Sequence, residues 1–351
     1  MHAAHYLPLL ELTRGSIVES IHFGAIAVVD ARGNLIASYG DPQAVSYLRS
    51  TAKPFQALPF IENDGHKFYK LSQREIAVMC ASHSGTNEQV AVVQGLQKKT
   101  GVSEADLQCG VHPLSHEPTL EAIRQRGEQV TPNRNNCSGK HTGMLAYARM
   151  KALPTEDYLN PHHPIQQDIL NTFAAMCKVT VEQIEIGTDG CSAPNFAVPL
   201  FNAALGLGRL CDPETGGILP PSRQVACHTI LAAMTSHPEM IGGPDSFDTR
   251  LMQATGGRIL AKSGAEGYFG LGLRPGTLSP NSPGAGIAIK VSDGDARQRA
   301  RPAVVLEVLR QLGVLESSEM DRLSEYGPST GVYNWQRLEV GRLRPGFQLS
   351  R

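Results

Sequence analysis

A chain of 351 residues, 41% hydrophobic and 19% charged, is long enough for one large or two ordinary domains and apolar enough to bury a core, which excludes a disordered polymer. Its 32 basic residues against 33 acidic ones leave a formal net charge of -1, so no overall field draws a nucleic-acid backbone or an anionic membrane, and a small-molecule partner is expected. No apolar run reaches the roughly 18 residues of a membrane span, and seven cysteines, an odd number, do not spell a disulfide framework.

Ahead of Arg14 there is one short apolar stretch, Tyr6 to Leu10, closed by Glu11 and lacking a basic leader. With the scattered cysteines, this reads as a cytoplasmic protein. Residues 15–40 predict two strands joined by a turn at Asp30-Ala31-Arg32-Gly33-Asn34, where Gly and Asn accept positive φ. After Ser50, the apolar positions Phe55, Leu58 and Phe60 predict a short helix with Pro54 in its first turn, where a missing N–H does little harm. Residues 75–85 are an apolar run that passes through a loop at 82–86 into a helix with Val90, Val93 and Leu96 on one face.

The proline-rich segment 104–136 predicts loops with one short helix near 120–126. Helical spacing recurs at 141–151, 165–178, 195–206 and 222–236. Strands are expected at 259–264, 268–273 and 286–293, then a helix at 302–312. The fold class is therefore α+β, an αβα arrangement in which an antiparallel sheet is flanked by helices, with a mainly helical middle region. Residues 10–60 and 255–351 form the sheet-containing part and 61–254 the helical part, together one continuous catalytic unit.

Ser50-Thr51-Ala52-Lys53 is an S-x-x-K box, whose serine and lysine share a helix face and can meet. A serine hydroxyl attacks an amide poorly until a base takes its proton, and lysine is such a base when burial or a nearby cation disfavours its charge. Alone the box also describes an ordinary surface helix. Ser82-His83-Ser84 in a loop and Lys262-Ser263-Gly264 on a strand follow it in the order used by penicillin-recognising serine enzymes, although Ser84 and Ser263 depart from the usual Asn and Thr. In such a set Ser82 and Lys262 relay the proton, and Gly264 lets substrate lie along the strand edge.

Asn135-Asn136-Cys137-Ser138-Gly139-Lys140-His141-Thr142-Gly143-Met144 lacks the earlier glycine and the hydroxyl of a phosphate-binding loop, so nucleotide binding is rejected. The pairs Gly206-Leu207-Gly208 and Gly270-Leu271-Gly272 lack the rest of a dinucleotide fingerprint. Cys137 and Cys191, the latter in Gly187-Thr188-Asp189-Gly190-Cys191, can hold zinc together with a third donor and a water, but without a C-x-x-C signature the residues alone favour buried inert thiols. His112 and His116 are read as loop histidines, because Pro113 breaks any helix that would align them.

These two segments, with residues 47–56 around the S-x-x-K box and Cys80-Ala81-Ser82-His83-Ser84-Gly85, resemble the rhizobial-type L-asparaginases, the asparaginase II family, over residues 10–315. The resemblance implies a fold similar to serine β-lactamases and glutaminases, a homodimer, and hydrolysis of L-asparagine to L-aspartate and ammonia. It carries a nucleophile and base onto Ser50 and Lys53, a second pair onto Ser82 and Lys262, and a zinc site onto Cys137, Lys140 and Cys191, with no organic cofactor. A lysine ligand must be neutral, so such a site depends on pH. Asparagine presents a carboxylate, an ammonium and an amide; Arg49 suits the first and Asp189 the second, and the Ser50 N–H at a helix start suits a developing oxyanion. The alternatives are a glutaminase or another serine amidase of the same fold, and a non-catalytic amino-acid sensor.

Overall fold

The computed structural model describes residues 5–215 and 219–351; the first four residues of the leader reading lie outside the described residues. In chain order the elements are β1 (Leu7–Arg14), β2 (Ile17–Asp30), β3 (Leu35–Tyr39), β4 (Val45–Tyr47), α1 (Lys53–Glu62), α2 (Gly65–Phe68), α3 (Gln73–Met79), α4 (Asn87–Thr100), α5 (Glu117–Gln125), α6 (Ser138–Met150) and α7 (Pro164–Cys177). There follow β5 (Glu185–Thr188), β6 (Pro194–Pro199), α8 (Leu200–Cys211), α9 (Pro221–Ser236), α10 (Pro238–Ile241), α11 (Phe247–Ala254), β7 (Ile259–Ser263), β8 (Tyr268–Leu273), β9 (Ala285–Val291), α12 (Ala300–Leu312), α13 (Ser317–Arg322), β10 (Thr330–Tyr333) and β11 (Glu339–Pro345). The expected α+β class holds: an antiparallel sheet with helices, and helices dominating the middle of the chain.

The chain divides into two compact units: Met1–Thr51 with Ala197–Gly216 and Leu251–Arg351, and Ala52–Phe196 with Gly217–Arg250. The first is built on a sheet of order β10-β11-β1-β2-β9-β8-β7, with β3 paired to β2. The expected hairpin is β2 and β3, and its turn is closed by the Asp30 carboxylate, which accepts from the N–H groups of Arg32 and Asn34. Both α8 and α12 pack on β8 and β9, and every residue of β8 is buried, so these strands read as continuous apolar runs rather than alternating ones.

Glycine sets the spacing between α8 and the sheet: a Cβ on Gly286 would stand 1.9 Å from the Ala204 carbonyl oxygen, a backbone atom that cannot swing away. Gly286→Ala is therefore expected to destabilise the protein by about 3 kcal/mol. A thermal melt within a degree or two of wild type would refute it.

The second unit is helical. α1 packs on α6, α7 and α9, and α3 on α4, α6 and α9, so α1 and α3 form its interior. Nine of the ten residues of α1 are buried, Lys53 among them. Capping boxes at Ser72 and Thr86 start α3 and α4, and the second fixes the far end of the loop that carries Ser82.

Two expectations are corrected. Residues 195–206 are not one helix: β6 occupies the first part and α8 begins only after Pro199, whose extended neighbours exclude a helix across it. The stretch before Arg14 is β1, paired with both β2 and β11, and the chain after α12 adds β10 and β11 to the same sheet.

Candidate active site

Within the first unit, Arg49 and Ser50 lie on a 3-10 turn, Arg49–Ala52, that runs straight into α1. Arg49 has φ 52°, a left-handed conformation that costs a non-glycine residue of order 1 kcal/mol and persists where surrounding contacts hold it. The contacts are visible: the Thr51 hydroxyl donates to the Lys262 carbonyl at 3.0 Å, and a Cβ on Gly264 would stand 2.6 Å from the Leu48 carbonyl oxygen. A Cβ on Gly270, opposite Lys262 in β8, would strike the Thr51 methyl at 2.5 Å. The room that Gly264 leaves is thus taken by the serine turn rather than kept open for substrate. The S-x-x-K turn and the Lys262-Ser263-Gly264 strand are packed together, and Lys262 is buried with its ammonium donating to the Ser263 carbonyl.

Within the second unit, Lys53 opens α1 and is 1% exposed. Its Nζ donates to the Ala81 carbonyl at 2.5 Å, the Ser82 hydroxyl at 3.0 Å and the Asn136 carbonyl at 3.2 Å. Lysine and Ser82 are therefore in direct contact, in a pocket that also holds two backbone carbonyls and the Cys137 sulfur. Ser82 itself is held from behind by its N–H, which donates to the Ile241 carbonyl.

One turn along α6, Lys140 is buried with Nζ 2.9 Å from the Cys191 sulfur. A hydrogen bond from Cys191 holds the Cys137 thiol well below its ordinary value, with the Lys53 and Lys140 cations adding to it against the cost of burial. Cys191 keeps the shared proton and is pushed the other way, while the sulfurs and Asp189 raise Lys140 against its desolvation. Asp189 lies in the turn between β5 and β6, its Oδ2 3.9 Å from the Cys191 sulfur. Among the described residues no three His, Cys, Asp or Glu side chains cluster for a metal. The donor set here is instead two sulfurs and a lysine nitrogen, already adjacent and buried, and its softness and number fit zinc with one position left for water.

His112 and His116 are loop residues, but each has work that sequence reading missed. His112 Nε2 accepts from the Asn136 N–H and so steadies the segment whose carbonyl meets Lys53, and His116 caps α5. The neighbouring His83 is fully buried, and desolvation, then the Lys53 cation, lower its pKa to about 3. His141 is depressed in the same direction, first by burial. A base whose folded pKa lies below its unfolded value contributes stability that is complete above the unfolded value and is lost as pH falls. Stability is therefore expected to decline as pH drops from about 6.5 toward 3, and less steeply in His83→Gln; urea melts at stepped pH that run parallel for the two proteins would contradict this.

The L-asparaginase II family model matches residues 10–345. A search of curated proteins returns no match. Among solved structures, the Bacillus subtilis glutaminase YbgJ in covalent complex with 5-oxo-L-norleucine is 12% identical, with 83% of this chain and 88% of that one covered and a TM-score of 0.41. A Bacillus glutaminase in 4.3 M NaCl is 11% identical, with coverage of 83% and 91% and a TM-score of 0.40. Native Mglu is 12% identical, with coverage of 85% and 66% and a TM-score of 0.43.

Proposed function

The chain belongs to the L-asparaginase II family and is an amidohydrolase, and on that premise we propose that it hydrolyses the side-chain amide of L-asparagine to L-aspartate and ammonia. Ser50 is the nucleophile. Its oxygen attacks the amide carbon as its proton passes to the Lys53 amine; the C–N bond then breaks as the nitrogen takes up a proton, and ammonia leaves. Water cleaves the resulting ester by the reverse proton traffic, returning the Ser50 hydroxyl and releasing aspartate. The observation that carries this reading is the buried Lys53 amine in contact with the Ser82 hydroxyl, a proton path from base to second serine. Ser82 and Lys262 form the second pair. Arg49 takes the substrate carboxylate, Asp189 its ammonium, and the Ser50 N–H on the turn that precedes α1 the developing oxyanion.

Zinc is the proposed metal, held by Cys137, Lys140 and Cys191. When bound it supplies a fixed positive charge beside the Asp189 turn. The family resemblance also carries a homodimer onto the chain, which light scattering at twice the chain mass would support.

The same Ser82 contact is compatible with a glutaminase. Asparagine and glutamine differ by one methylene, and a fitted pocket separates such a pair by about 10–200-fold. Ammonia release is expected to give a kcat/KM for L-asparagine at least tenfold above that for L-glutamine. Equal values, or a preference for glutamine, would sink the asparaginase reading, and no release from either would leave a binding protein.

A further inference from the structure

We propose that His83 is a positioning residue for this reaction: a neutral imidazole that ties the Ser82 loop to the first turn of α6, keeping the Ser82 hydroxyl on the Lys53 amine. The inference rests on the reading of Ser82 and Lys53 as reaction machinery.

The hydrogen bonds fix the tautomer. The Gly85 N–H donates to His83 Nδ1 at 3.2 Å, so that nitrogen is an acceptor and carries no proton. Nε2 must then hold the proton, and it donates to the Ser138 hydroxyl at 2.8 Å, which in turn donates to the Asn133 carbonyl at 2.9 Å. Every polar atom of the imidazole and of the Ser138 hydroxyl proton is used, inside a region where His83 is 1% and Ser138 0% exposed. A protonated ring would lose the Gly85 bond, and the depressed pKa of His83 agrees with a ring that stays neutral.

The two ends of this chain of bonds are the two sides of the Lys53 pocket. His83 follows Ser82, whose hydroxyl meets Lys53, and Ser138 follows Asn136 and Cys137, of which Asn136 gives Lys53 its third acceptor. The Ser82 N–H is bonded to the Ile241 carbonyl. The imidazole therefore ties the Ser82 loop to the start of α6, where Gly139 already lies close against the Val78 carbonyl at the end of α3. It is placed to act on geometry rather than on protons, because its own proton is committed to Ser138.

The test compares His83→Leu, His83→Gln, Ser138→Ala and the double variant H83L/S138A with wild type and with Ser82→Ala, by kcat and KM for L-asparagine. H83L is expected to lose about 100-fold in kcat with KM within about threefold, the scale of a reacting group displaced by about 1 Å. H83Q places an amide nitrogen near the position of Nε2 and is expected to recover about tenfold of that loss. The double variant should be no slower than H83L, since two partners of one bond cannot lose it twice. The pH-rate profile of H83Q should keep both limbs of the wild-type profile; a missing limb would make His83 a proton carrier and overturn the positioning role. H83L and S138A enzymes within about threefold of wild type beside an inactive S82A would overturn the inference and leave the Ser82 reading intact. A fully active S82A would overturn that reading instead. Should H83L fail to fold, S138A decides alone: a wild-type kcat counts against the proposal, and a loss of about tenfold or more at unchanged KM supports it.

Discussion

Ser50→Ala and Lys53→Ala are each expected to lower asparagine turnover by about three orders of magnitude or more, with a cooperative melting transition retained, because nucleophile and base act as a unit. The stability side of the two differs. Ser50 is half-buried on a turn held by its neighbour Thr51, so loss of its hydroxyl leaves the turn standing. Removing the Lys53 amine strips a donor from the buried Ala81 carbonyl, at about 1–3 kcal/mol for a buried group left unpaired, and from the partly buried Asn136 carbonyl. Lys53→Met keeps the packed stem and is the cleaner variant. Ser82→Ala belongs beside them. If Ser50→Ala retains turnover while Ser82→Ala abolishes it, the nucleophile is Ser82, the hydroxyl that Lys53 touches.

Much of this site was legible because its side chains sit in short loops and helix starts with distinctive neighbours. Ser50, Lys53, Ser82 and the Lys262-Ser263-Gly264 strand were each picked out by spacing, and the structure packs the first turn on that strand and sets Lys53 on Ser82. What sequence could not show was the remainder of the Lys53 pocket, since its acceptors at Ala81 and Asn136 are peptide carbonyls that every residue type carries. The fold divides in the same way. β2 and β3 announce themselves by an apolar run and a turn motif, whereas β10 is partly exposed along its length and β11 alternates only in its second half, which leaves little apolar pattern to read. Residues 195–206 misled because an apolar run suits a buried strand and a helix equally, and only Pro199 marks the break.

The second large effect is expected at the sulfur cluster. Protein purified without chelator should carry about one zinc per chain, following the tetrahedral preference for two thiolates, a nitrogen and a water, and Cys137→Ala or Cys191→Ala should reduce that to a small fraction. Binding must displace the proton shared by the two sulfurs and the one that Lys140 holds, so zinc uptake should release protons and weaken as pH falls. Because the Asp189 turn abuts Cys191, Cys137→Ala should raise the apparent KM for asparagine by about tenfold or more while kcat changes less. Elemental analysis finding no zinc in wild type, or equal zinc in wild type and Cys191→Ala, would remove the metal from this site.

The Lys53 pocket carries a consequence for how such a site is dissected. Two of its acceptors belong to the peptide chain, so an alanine scan passes over Ala81 without a change and at Asn136 reports only the loss of the side-chain amide. Their contribution can be reached only by altering the backbone itself. Replacing Ser82 or Cys137 with the corresponding hydroxy acid turns the preceding carbonyl into an ester, a poorer acceptor, while leaving every side chain in place. At residue 82 the same change also removes the N–H that donates to Ile241, and at residue 137 the N–H that donates to the Asn135 side-chain oxygen, so each ester weakens one Lys53 acceptor and deletes one backbone donor.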